Sequence, residues 1–556
     1  QSAWDALHPR LHVTPPANWT NDPNGPMVYN GMYHLMYQYN PTAAVWGDMH
    51  WGHAYSPNLV QWGSLPPALL PDQPYDEGGV FSGSVTLVPH ANAPGGLLPV
   101  AAYTCVDAAG HQRQCLATPS NASDPLLRSW VKPAYNPILE SPPPGGSLTL
   151  FRDDSTAWRN TPEGPWNMAV GVATHGEGSI AVYTAKKFLA HDWTLAGTLA
   201  KFHPAAEWAN MYECPDFFPV PGAAPGQGGV DCSGTPGGDS RTWVAKISAL
   251  PGRRDYAALG CYDSLRNAFL QVGPLTLYDA GVWYASKTFL DSAAAPPRQV
   301  LWGWVTETDA QSNWVDRGWA GLQGLPRVVD VHPTLPILTT SPLPQLHSLL
   351  TGSPQSYVGQ VQPGTPVQVG NLPQAQAYGG NGAAHQGAAF QGGDFLNVPL
   401  PSGGSASAAA AACAALCAGE YAAACIAWTA TQDTCSLKGW VPDVTHDPAA
   451  TSGLRSGLTV TLDTSGMGAT TPSTTIGGAF TQPLSLLDMT IWLDRSVVEV
   501  FAAEGTIRLT QRVYPGAPGL QVDLAAAPAA DAFQAAADLQ AADTIWSLPP
   551  PLQQAA

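Results

Sequence analysis

Three short segments of the sequence hold carboxylates whose surroundings favour acid–base or nucleophilic chemistry. They are NWTNDPNG around Asp22, FRDDS around Asp153 and MYECPDF around Glu213. The last two place an acid among aromatic and apolar residues, where it must be paired, hydrogen-bonded or shifted in pKa. Such carboxylates are candidates for a nucleophile, a general acid or a general base.

Each segment also has a purely structural interpretation. Asn, Asp, Pro and Gly are turn residues, so the first segment taken alone predicts a turn with a solvated Asp22. Arg152 directly precedes Asp153 and invites a structural salt bridge. A catalytic interpretation therefore depends on the segments occurring together and not on any one of them.

Length and composition limit the kind of protein that this chain can be. Its 556 residues are too many for one core and predict two or three domains. With 12% charged and 45% hydrophobic residues, we expect a globular chain. The net charge of −18 argues against nucleic acid and anionic membranes as partners. No apolar run reaches the length of about 18 residues that spans a bilayer, and the segment from Gln1 predicts a processed chain without a signal peptide.

Short strand-like runs between Gly, Pro and Asn breaks dominate residues 1–340, where helical periodicity is nearly absent. The runs are Met32–Tyr39, Val80–Leu87, Trp166–Val172, Ser179–Tyr183, Arg241–Ile247, Tyr256–Tyr262 and Leu301–Val305. Together with 56 glycines and 54 prolines they predict an all-β fold, either a β-propeller of roughly five blades or a large sandwich. The 20 tryptophans suit sugar stacking, although we expect most of them to fill the core.

A change in composition after residue 340 predicts further domains. Pro-rich stretches at 332–343 and 354–366 mark a junction, and strand-like runs then resume. Those runs are Leu458–Leu462, Met489–Leu493, Val497–Phe501, Thr506–Gln511 and Leu520–Leu524. We expect a catalytic domain at 1–340, a linker and the start of a β-sandwich at 341–375, an insert at 376–460 and the rest of the sandwich at 461–556.

The nine cysteines favour disulfides over a metal site, because no CxxC pair occurs. Cys105 and Cys115 flank a turn at Gly110 and are candidates for a hairpin bridge. Cys232 and Cys261 are a second candidate pair, and the odd count leaves one free thiol, for which Cys214 is our candidate. The sequons at Asn18 and Asn121 are compatible with secretion.

The order of several motifs resembles the invertase family of glycoside hydrolases, glycoside hydrolase family 32. These motifs are WTNDPNG, FSGS, FRD and ECPDFF, with HVTP at 12–15, GWAGLQ at 318–323, PR at 326–327 and DRSVVEVF at 494–501. The resemblance covers almost the whole chain except 376–460. It implies a five-bladed β-propeller followed by a β-sandwich, with the active site on the propeller axis and no cofactor or metal.

The resemblance also assigns roles to individual residues. Asp22 would be the nucleophile, Glu213 the general acid/base and Asp153 a transition-state stabiliser that hydrogen-bonds fructosyl hydroxyls. Retaining hydrolysis needs the two reacting carboxyls about 5–5.5 Å apart. We expect Asp22 to stay ionised and Glu213 to have a raised pKa through burial and the charges of its neighbours.

Further residues would bind the substrate around these carboxylates. The expected set is Asn21 and Trp51 as donors near Asp22, Arg152 to orient the fructosyl unit, and Gln38, Trp46, Phe81 and Ser82 along the fructosyl subsite. The sequence departs from the family pattern in having Asp154 where Pro is usual and Tyr212 where Trp is common. The stretch Ala249–Arg254 also lacks the acidic residues that hold the glucosyl part of sucrose in plant-type members.

The insert at 376–460 resembles a PAN/apple-type module, a class that binds proteins or carbohydrates. The likeness rests on GGDF at 392–395, CAALC, CIAWTATQDTCSLKGWVP and SGL at 452–454. Its composition predicts one short helix stapled to a small sheet, and the resemblance favours Cys413–Cys435 and Cys417–Cys425 among three pairings. A disulfide-stapled spacer without a ligand is the alternative.

These observations lead to one expected activity and several rivals. We expect a secreted invertase, extracellular or in the cell wall with the vacuole as the alternative, that hydrolyses sucrose or fructo-oligosaccharides. A fructan exohydrolase or inulinase, or a fructosyltransferase, would use the same site. A catalytically silent carbohydrate-binding relative is the alternative from another class, and the presence of all three carboxylates argues against it.

Overall fold

The computed structural model describes residues 7–349, except 201 and 203–208, and most of 490–512. Elsewhere between 355 and 541 it describes the backbone of separate strands. Cys413, Cys417, Cys425 and the side chain of Cys435 lie outside the described residues, as does the helix expected in the insert, so those pairings and that helix stay predictions.

Twenty-four strands precede residue 343 in the described chain. They are β1 (Asn18–Tyr29), β2 (Met32–Asn40), β3 (His50–Ser56), β4 (Gly63–Leu69), β5 (Gly79–Pro89), β6 (Leu97–Val106), β7 (Gln112–Pro119), β8 (Trp130–Val131), β9 (Gly146–Arg152), β10 (Trp158–Arg159), β11 (Trp166–Thr174), β12 (Glu177–Ala185), β13 (Thr194–Ala200), β14 (Met211–Pro219), β15 (Trp243–Leu250), β16 (Arg254–Asp263), β17 (Ala268–Gln271), β18 (Thr276–Leu277), β19 (Trp283–Asp291), β20 (Arg298–Val305), β21 (Trp319–Ala320), β22 (Leu322–Gln323), β23 (Arg327–Val331) and β24 (Leu338–Pro342). The helices described are α1 (Gln311–Arg317) and three short 3-10 turns, Pro94–Gly96, Gln227–Gly229 and Pro344–Leu349. None of them is long and apolar enough to cross a membrane. The expected all-β fold is confirmed.

These strands form five successive antiparallel sheets within the described part of the chain. The sheets contain β1–β4, β5–β8, β9–β13, β14–β18, and β19 with β20 and β22–β24. Antiparallel neighbours need only tight turns, which explains the density of Gly and Pro. The chain then returns to its beginning, because β21 pairs in parallel with β1 through Asn18–Trp319 and Trp19–Ala320.

Each sheet shares a buried apolar cluster with the next one, and the fifth shares a cluster with the first. The clusters are represented by Val85 with Trp51, Leu116 with Val170, Val182 with Ala245, Leu259 with Leu301, and Leu35 with Trp302. Five tryptophans, at 51, 243, 283, 302 and 492, are fully buried, so they fill the core as expected. The ring of clusters ties sequential sheets together through hydrophobic burial.

The segment around Asp22 is a strand and not the turn that its residue types predict. It lies inside β1, which pairs with β2 but shifts register between Thr20 and Pro23 and again between Asn24 and Met27. Pro23 cannot donate to the ladder, and such residues are tolerated at bulges. Gly25 has φ +44°, and a Cβ there would lie 2.5 Å from a methyl carbon of Val85. The turn-forming residues therefore mark irregular points within a strand.

Two disulfides join neighbouring segments, as the sequence predicts. Cys105 on β6 is bonded to Cys115 on β7, and Cys232 is bonded to Cys261 on β16. Among the cysteines that the structure describes, Cys214 is the unpaired one, and it is buried. The expected free thiol is confirmed.

The later strands form three sheets. They are β25 (Gln355–Val361), β26 (Val367–Asn371), β27 (Gln386–Phe390), β28 (Asp394–Pro399), β29 (Ala427–Ala430), β30 (Thr434–Lys438), β31 (Val444–Leu454), β32 (Leu458–Leu462), β33 (Thr474–Gly477), β34 (Leu486–Asp494), β35 (Val497–Ala502), β36 (Ile507–Arg512), β37 (Gln521–Ala526) and β38 (Phe533–Ala541). The sheet orders are β25-β38-β34-β35-β36, β26-β37-β32-β33 and β27-β31-β29-β30-β28. The third sheet lies within the predicted insert.

Two buried carboxylates of the DRSVVEVF motif anchor the later strands to the first part of the chain. Asp494 accepts backbone hydrogen bonds from Arg10, Leu11 and His12 at 2.6–3.2 Å. The His12 ring contacts Asp494 at 2.8 Å and Glu499 at 3.0 Å. Glu499 also accepts from Leu325 N at 2.7 Å and pairs with Arg327 at 2.7 Å. This motif is therefore a structural junction.

Candidate active site

Asp22 lies near the start of β1, where three neighbouring groups contact its carboxylate. Asn21 Nδ2 donates to Oδ1 at 3.0 Å, and Ser82 Oγ on β5 donates to Oδ2 at 2.6 Å. The Cys214 thiol lies 3.5 Å from Oδ2. Asn21 is itself oriented, because Trp19 Nε1 donates to its Oδ1 at 2.8 Å. The first and second sheets thus hold one carboxylate between them.

Asp153 follows directly after β9 and adopts φ +68°, which is unusual for a residue with a side chain. Its backbone N–H donates to Thr104 Oγ1 at 2.8 Å, and its Oδ2 accepts from Cys214 N at 3.0 Å. Arg152 Nε lies 3.8 Å from the same oxygen. These contacts hold the left-handed turn, so Asp153 is fixed by three different segments.

Glu213 lies on β14, where both of its oxygens accept hydrogen bonds. Arg152 donates to Oε1 from Nε at 2.9 Å and from Nη2 at 2.7 Å. The Tyr284 hydroxyl donates to Oε2 at 2.6 Å. Burial and the charge of Glu213 raise the pKa of Tyr284 well above its usual value, so the phenol keeps its proton and remains a donor.

The Cys214 side chain contacts the carboxylates of both Asp22 and Asp153, and Cys214 directly follows Glu213 in the sequence. It has φ +44°, and its Sγ lies 3.5 Å from Asp22 Oδ2 and 3.6 Å from Asp153 Oδ2. The ladder between β14 and β15 shifts between Glu213 and Asp216, so this region is also a bulge. Three motifs distant in sequence therefore converge on one site, as expected.

Burial dominates the electrostatics of this site. It raises the pKa of Asp22, the charge of Glu213 raises it further, and the hydrogen bonds from Ser82 and Asn21 act in the opposite direction. Burial likewise raises the pKa of Asp153 to about 7, although the Arg152 guanidinium lowers it. The sequence predicts that neighbouring donors help Asp22 to stay ionised; the donors do lower its pKa, but desolvation and the charge of Glu213 outweigh them and the pKa is raised.

Asp154 departs from the family pattern and is fully buried behind the site. Ser84 N donates to its Oδ2 at 3.3 Å, and Lys287 Nζ donates to its backbone carbonyl at 2.8 Å. Burial raises the pKa of Asp154 to about 8, although the Lys287 ammonium lowers it. The Asp154 carboxyl is therefore neutral at pH values below about 8.

The predicted substrate-binding residues fall into two groups. Ser82 contacts Asp22, and Phe81 packs edge-on at 5.8 Å against Trp46, which is 58% exposed. Gln38 and Trp51 are buried at 2% and 0% exposure and donate to the carbonyls of Val80 (3.1 Å) and Phe81 (2.9 Å). The prediction that Trp51 donates to Asp22 is wrong, because its indole N–H supports the backbone that carries Ser82.

Three site residues were not predicted from the sequence. Tyr284 donates to Glu213, while two buried lysines hold the backbone after Glu213: Lys246 donates to Cys214 O at 3.2 Å and Lys287 to Pro215 O at 3.1 Å. Tyr and Lys within a strand carry no distinguishing signal in one sequence. No group of three His, Cys, Asp or Glu side chains in the described residues is arranged to hold a metal ion.

Comparisons with known proteins match both ends of the chain. Residues 12–342 match the family model for the glycosyl hydrolases family 32 N-terminal domain, and residues 451–541 match that for the family 32 C terminal. An insoluble β-fructofuranosidase isoenzyme (CWINV1) of Arabidopsis thaliana is 37% identical over 66% of this chain and 62% of its own length. The insoluble β-fructofuranosidase isoenzyme 7 of Oryza sativa subsp. indica is 43% identical over 57% of this chain and 52% of its own length. The chain thus matches only half to three-fifths of the length of these relatives.

Solved structures extend the similarity over nearly the whole chain. Fructan 1-exohydrolase IIa from Cichorium intybus superimposes with a TM-score of 0.63 at 28% identity, covering 96% of this chain and 99% of that one. The exo-inulinase from Aspergillus awamori gives a TM-score of 0.60 at 21% identity over 96% and 97%, which shows a shared fold. Because the N-terminal family model covers more than half of the residues, the chain belongs to the family 32 glycosyl hydrolases.

Proposed function

We propose that this chain is a retaining glycoside hydrolase that cleaves terminal β-D-fructofuranosyl bonds, with sucrose as the main substrate. The observation that carries the proposal is the convergence of Asp22, Asp153 and Glu213 around Cys214 and Arg152. Two carboxylates with a third nearby supply a nucleophile, a proton donor and a stabilising charge.

The first chemical step forms a covalent intermediate. The Asp22 carboxylate bonds to the anomeric carbon while the bond to the leaving oxygen breaks, and Glu213 gives its proton to that oxygen. In the second step Glu213 takes a proton from water, the water oxygen attacks the anomeric carbon, and Asp22 leaves as a carboxylate. Ser82 and Asn21 donate to Asp22 and stabilise its charge between turnovers.

Asp153 and Arg152 bind and orient the fructosyl unit in this proposal. The ionised Asp153 accepts hydrogen bonds from fructosyl hydroxyls, and its charge stabilises the oxocarbenium-like transition state. Arg152 keeps Glu213 in position and offsets part of the negative charge. Gln38 and Trp51 support the segment of Phe81 and Ser82, which line the subsite with Trp46.

The same site accommodates neighbouring activities. The similarity to fructan 1-exohydrolase IIa from Cichorium intybus favours fructan as a second substrate, and a sugar hydroxyl in place of water would give fructosyl transfer. The stretch Ala249–Arg254 lacks the acidic residues expected for the glucosyl part of sucrose, which also favours a fructan. A silent carbohydrate-binding relative is disfavoured because all three carboxylates are present.

The proposal includes the arrangement of domains. The five sheets of residues 18–342 are the blades of a propeller whose axis carries the site, and the strand pairing of β21 with β1 supports ring closure. The sheets containing β34 and β37 form the sandwich. The third later sheet belongs to a PAN/apple-like module at about 376–460, which binds a protein or a polysaccharide.

We further propose a secreted protein of the extracellular space or cell wall. The relatives named as insoluble isoenzymes, together with the cell wall isozyme of Zea mays at 39% identity, support this location. The two disulfides in the described part of the chain fit an oxidising compartment.

Product chromatography tests the proposal. Sucrose, raffinose and inulin are incubated with the protein at low and high sugar concentration, and fructose release is compared with transfer products. Asp22→Asn should lower kcat by several orders of magnitude in a folded chain. Glu213→Gln should slow substrates with poor leaving groups more than activated fructosides. An Asp22→Asn variant with undiminished turnover would refute the mechanism.

A further inference from the structure

A tryptophan on helix α1 lies at the edge of the carboxylate site and takes no part in the reaction proposed above. The Trp314 ring packs at 5.6 Å from the ring of Trp19, with an interplanar angle of 45°. Trp19 Nε1 donates to Asn21, which donates to Asp22. Trp314 is therefore linked to the proposed nucleophile through the Trp19 ring, and its own side chain is half-buried.

The position of the Trp314 ring is fixed by charged groups. Trp314 Nε1 donates to Asp309 Oδ1 at 2.7 Å, and Asp309 Oδ2 accepts from Arg317 at the end of the same helix, also at 2.7 Å. Arg317 pairs with Glu307 at 2.6 Å, and Arg512 on β36 pairs with Glu307 at 2.6 Å. The ring is thus held in place before any ligand arrives, which lowers the entropic cost of binding.

The start of β1 links this helix to a second exposed tryptophan. Asn18 N donates to Gly318 O, which follows α1, at 2.8 Å, and Trp19 N donates to Ala43 O in the loop that carries Trp46 at 3.1 Å. Trp46 and Trp314 therefore belong to segments anchored on consecutive residues of one strand. Both indoles are accessible to solvent, because Trp314 is half-buried and Trp46 is 58% exposed.

We propose that Trp314 is a wall of the leaving-group subsite and stacks on the sugar that departs from the fructosyl unit. This inference rests on the proposed function. In the proposed reaction the fructosyl unit lies against Asp22, Asp153 and Arg152. Trp314 packs on Trp19 at the edge of this site, which in our proposal puts it beside the other part of the substrate. A partly exposed indole presents an apolar face that suits the C–H face of a pyranose or furanose ring.

Three variants and three substrates test this assignment. Trp314→Ala, Trp314→Phe and the control Val315→Ala are assayed with sucrose, the trisaccharide 1-kestose and methyl β-D-fructofuranoside, which has no leaving sugar. Val315 lies on the same helix and is 56% exposed. In Trp314→Ala we expect kcat/KM to fall about tenfold for both sugars, mainly through KM, and to change less than twofold for the methyl fructoside. Trp314→Phe should recover most of the loss.

The outcomes separate this inference from the proposed function. An equal fall for all three substrates, or no fall for sucrose and 1-kestose, would overturn the subsite. A similar loss in Val315→Ala would mean that α1 has only a structural role, which also overturns it. If the unaltered protein released fructose from none of the three substrates, the proposed function itself would fail.

Discussion

Arg152 donates two hydrogen bonds to a single oxygen of Glu213, from Nε at 2.9 Å and from Nη2 at 2.7 Å. The same guanidinium lies 3.8 Å from Asp153 Oδ2 and lowers the pKa of that carboxyl against the effect of burial. The Arg152 guanidinium therefore orients Glu213, the proposed acid/base, and lowers the pKa of the neighbouring Asp153.

Replacing Arg152 should alter both the rate and its pH dependence. In Arg152→Gln we expect kcat/KM to fall by about two orders of magnitude, because Glu213 loses two charge-assisted hydrogen bonds. Without the guanidinium the pKa of Asp153 rises above about 7. Since the proposed role of Asp153 needs its anion, the limb of the kcat/KM profile that reports this ionisation should move to higher pH. Arg152→Lys should keep the limb near its original place, whereas an unmoved limb in Arg152→Gln would contradict the account.

Asp154→Asn should stabilise the protein at neutral pH. The carboxyl has a pKa of about 8 when folded, against 3.8 in the reference state, so folding takes up a proton between these values. The stability of the unaltered protein therefore falls as the pH rises from about 4 to about 8. An Asn side chain avoids this loss and can still accept from Ser84 N.

Urea denaturation at pH 4.5, 6 and 8 measures the effect of Asp154→Asn, which should grow with pH. Asp107→Asn is the control, because the pKa of Asp107 is lowered by folding whereas the pKa of Asp154 is raised. Burial acts to raise the pKa of Asp107, but hydrogen bonds from His111 and Ala109 outweigh it and the pKa is lowered. The control should therefore lose stability at pH 8. A gain from Asp154→Asn that is largest at pH 4.5 would contradict the buried neutral acid.

Because of His12, the free energy of unfolding should fall as the pH rises through about 9. Burial lowers its pKa, but hydrogen bonds and charges from Asp494 and Glu499 outweigh burial and raise the pKa to about 9. This contribution is complete below the unfolded value of 6.5 and is lost as the pH rises through about 9. The pKa values of both carboxyls are lowered, so their contribution is lost on acidification.

Thermal unfolding of His12→Asn checks this junction. We expect the variant to melt about 5–10 °C below the unaltered protein at pH 6, because it removes the cation that the buried Asp494 and Glu499 share and leaves Glu499 with Arg327 alone as its described cation. This difference in melting temperature should be smaller at pH 9.5, where the His12 ring of the unaltered protein is no longer charged. The half-buried His50, whose ring contacts the Asp48 carbonyl at 2.7 Å and no carboxylate among the described contacts, supplies the control His50→Asn, for which we expect no difference in melting temperature. A gap that stays constant with pH would rule out titration of His12 as its source.

The insert should be removable without loss of hydrolysis. Strands β26 and β32 both pair with β37, so the flanks lie two strand spacings apart and about 20 Å from end to end. The predicted boundary at 460 falls within β32, so a deletion of 376–455 bridged by about ten Gly and Ser residues spares that strand. We expect kcat on sucrose to stay within about threefold, while binding to cell-wall polysaccharide or a protein partner is lost. An inactive deletion that is still folded by circular dichroism would show that the insert builds part of the site.

The sequence alone was sufficient to predict the fold class, the two disulfides of the described residues and the order of the reactive segments. Short apolar runs between Gly and Pro exclude long helices, and Cys105 and Cys115 are close enough along the chain to meet across one turn. These properties depend on nearby residues, so local patterning is sufficient to predict them.

Only the tertiary structure decided where individual side chains of the site point and what they contact. The residues of NDPNG lie in a strand because β2 pairs with them around two bulges. Trp51 supports Phe81 and does not reach Asp22, and Tyr284 reaches Glu213 from 71 positions away. The pKa of Asp22 is likewise raised by burial beneath several sheets and by Glu213. Such orientations and pKa values arise from contacts between segments distant in sequence, and in a strand a shift of one residue exchanges its two faces.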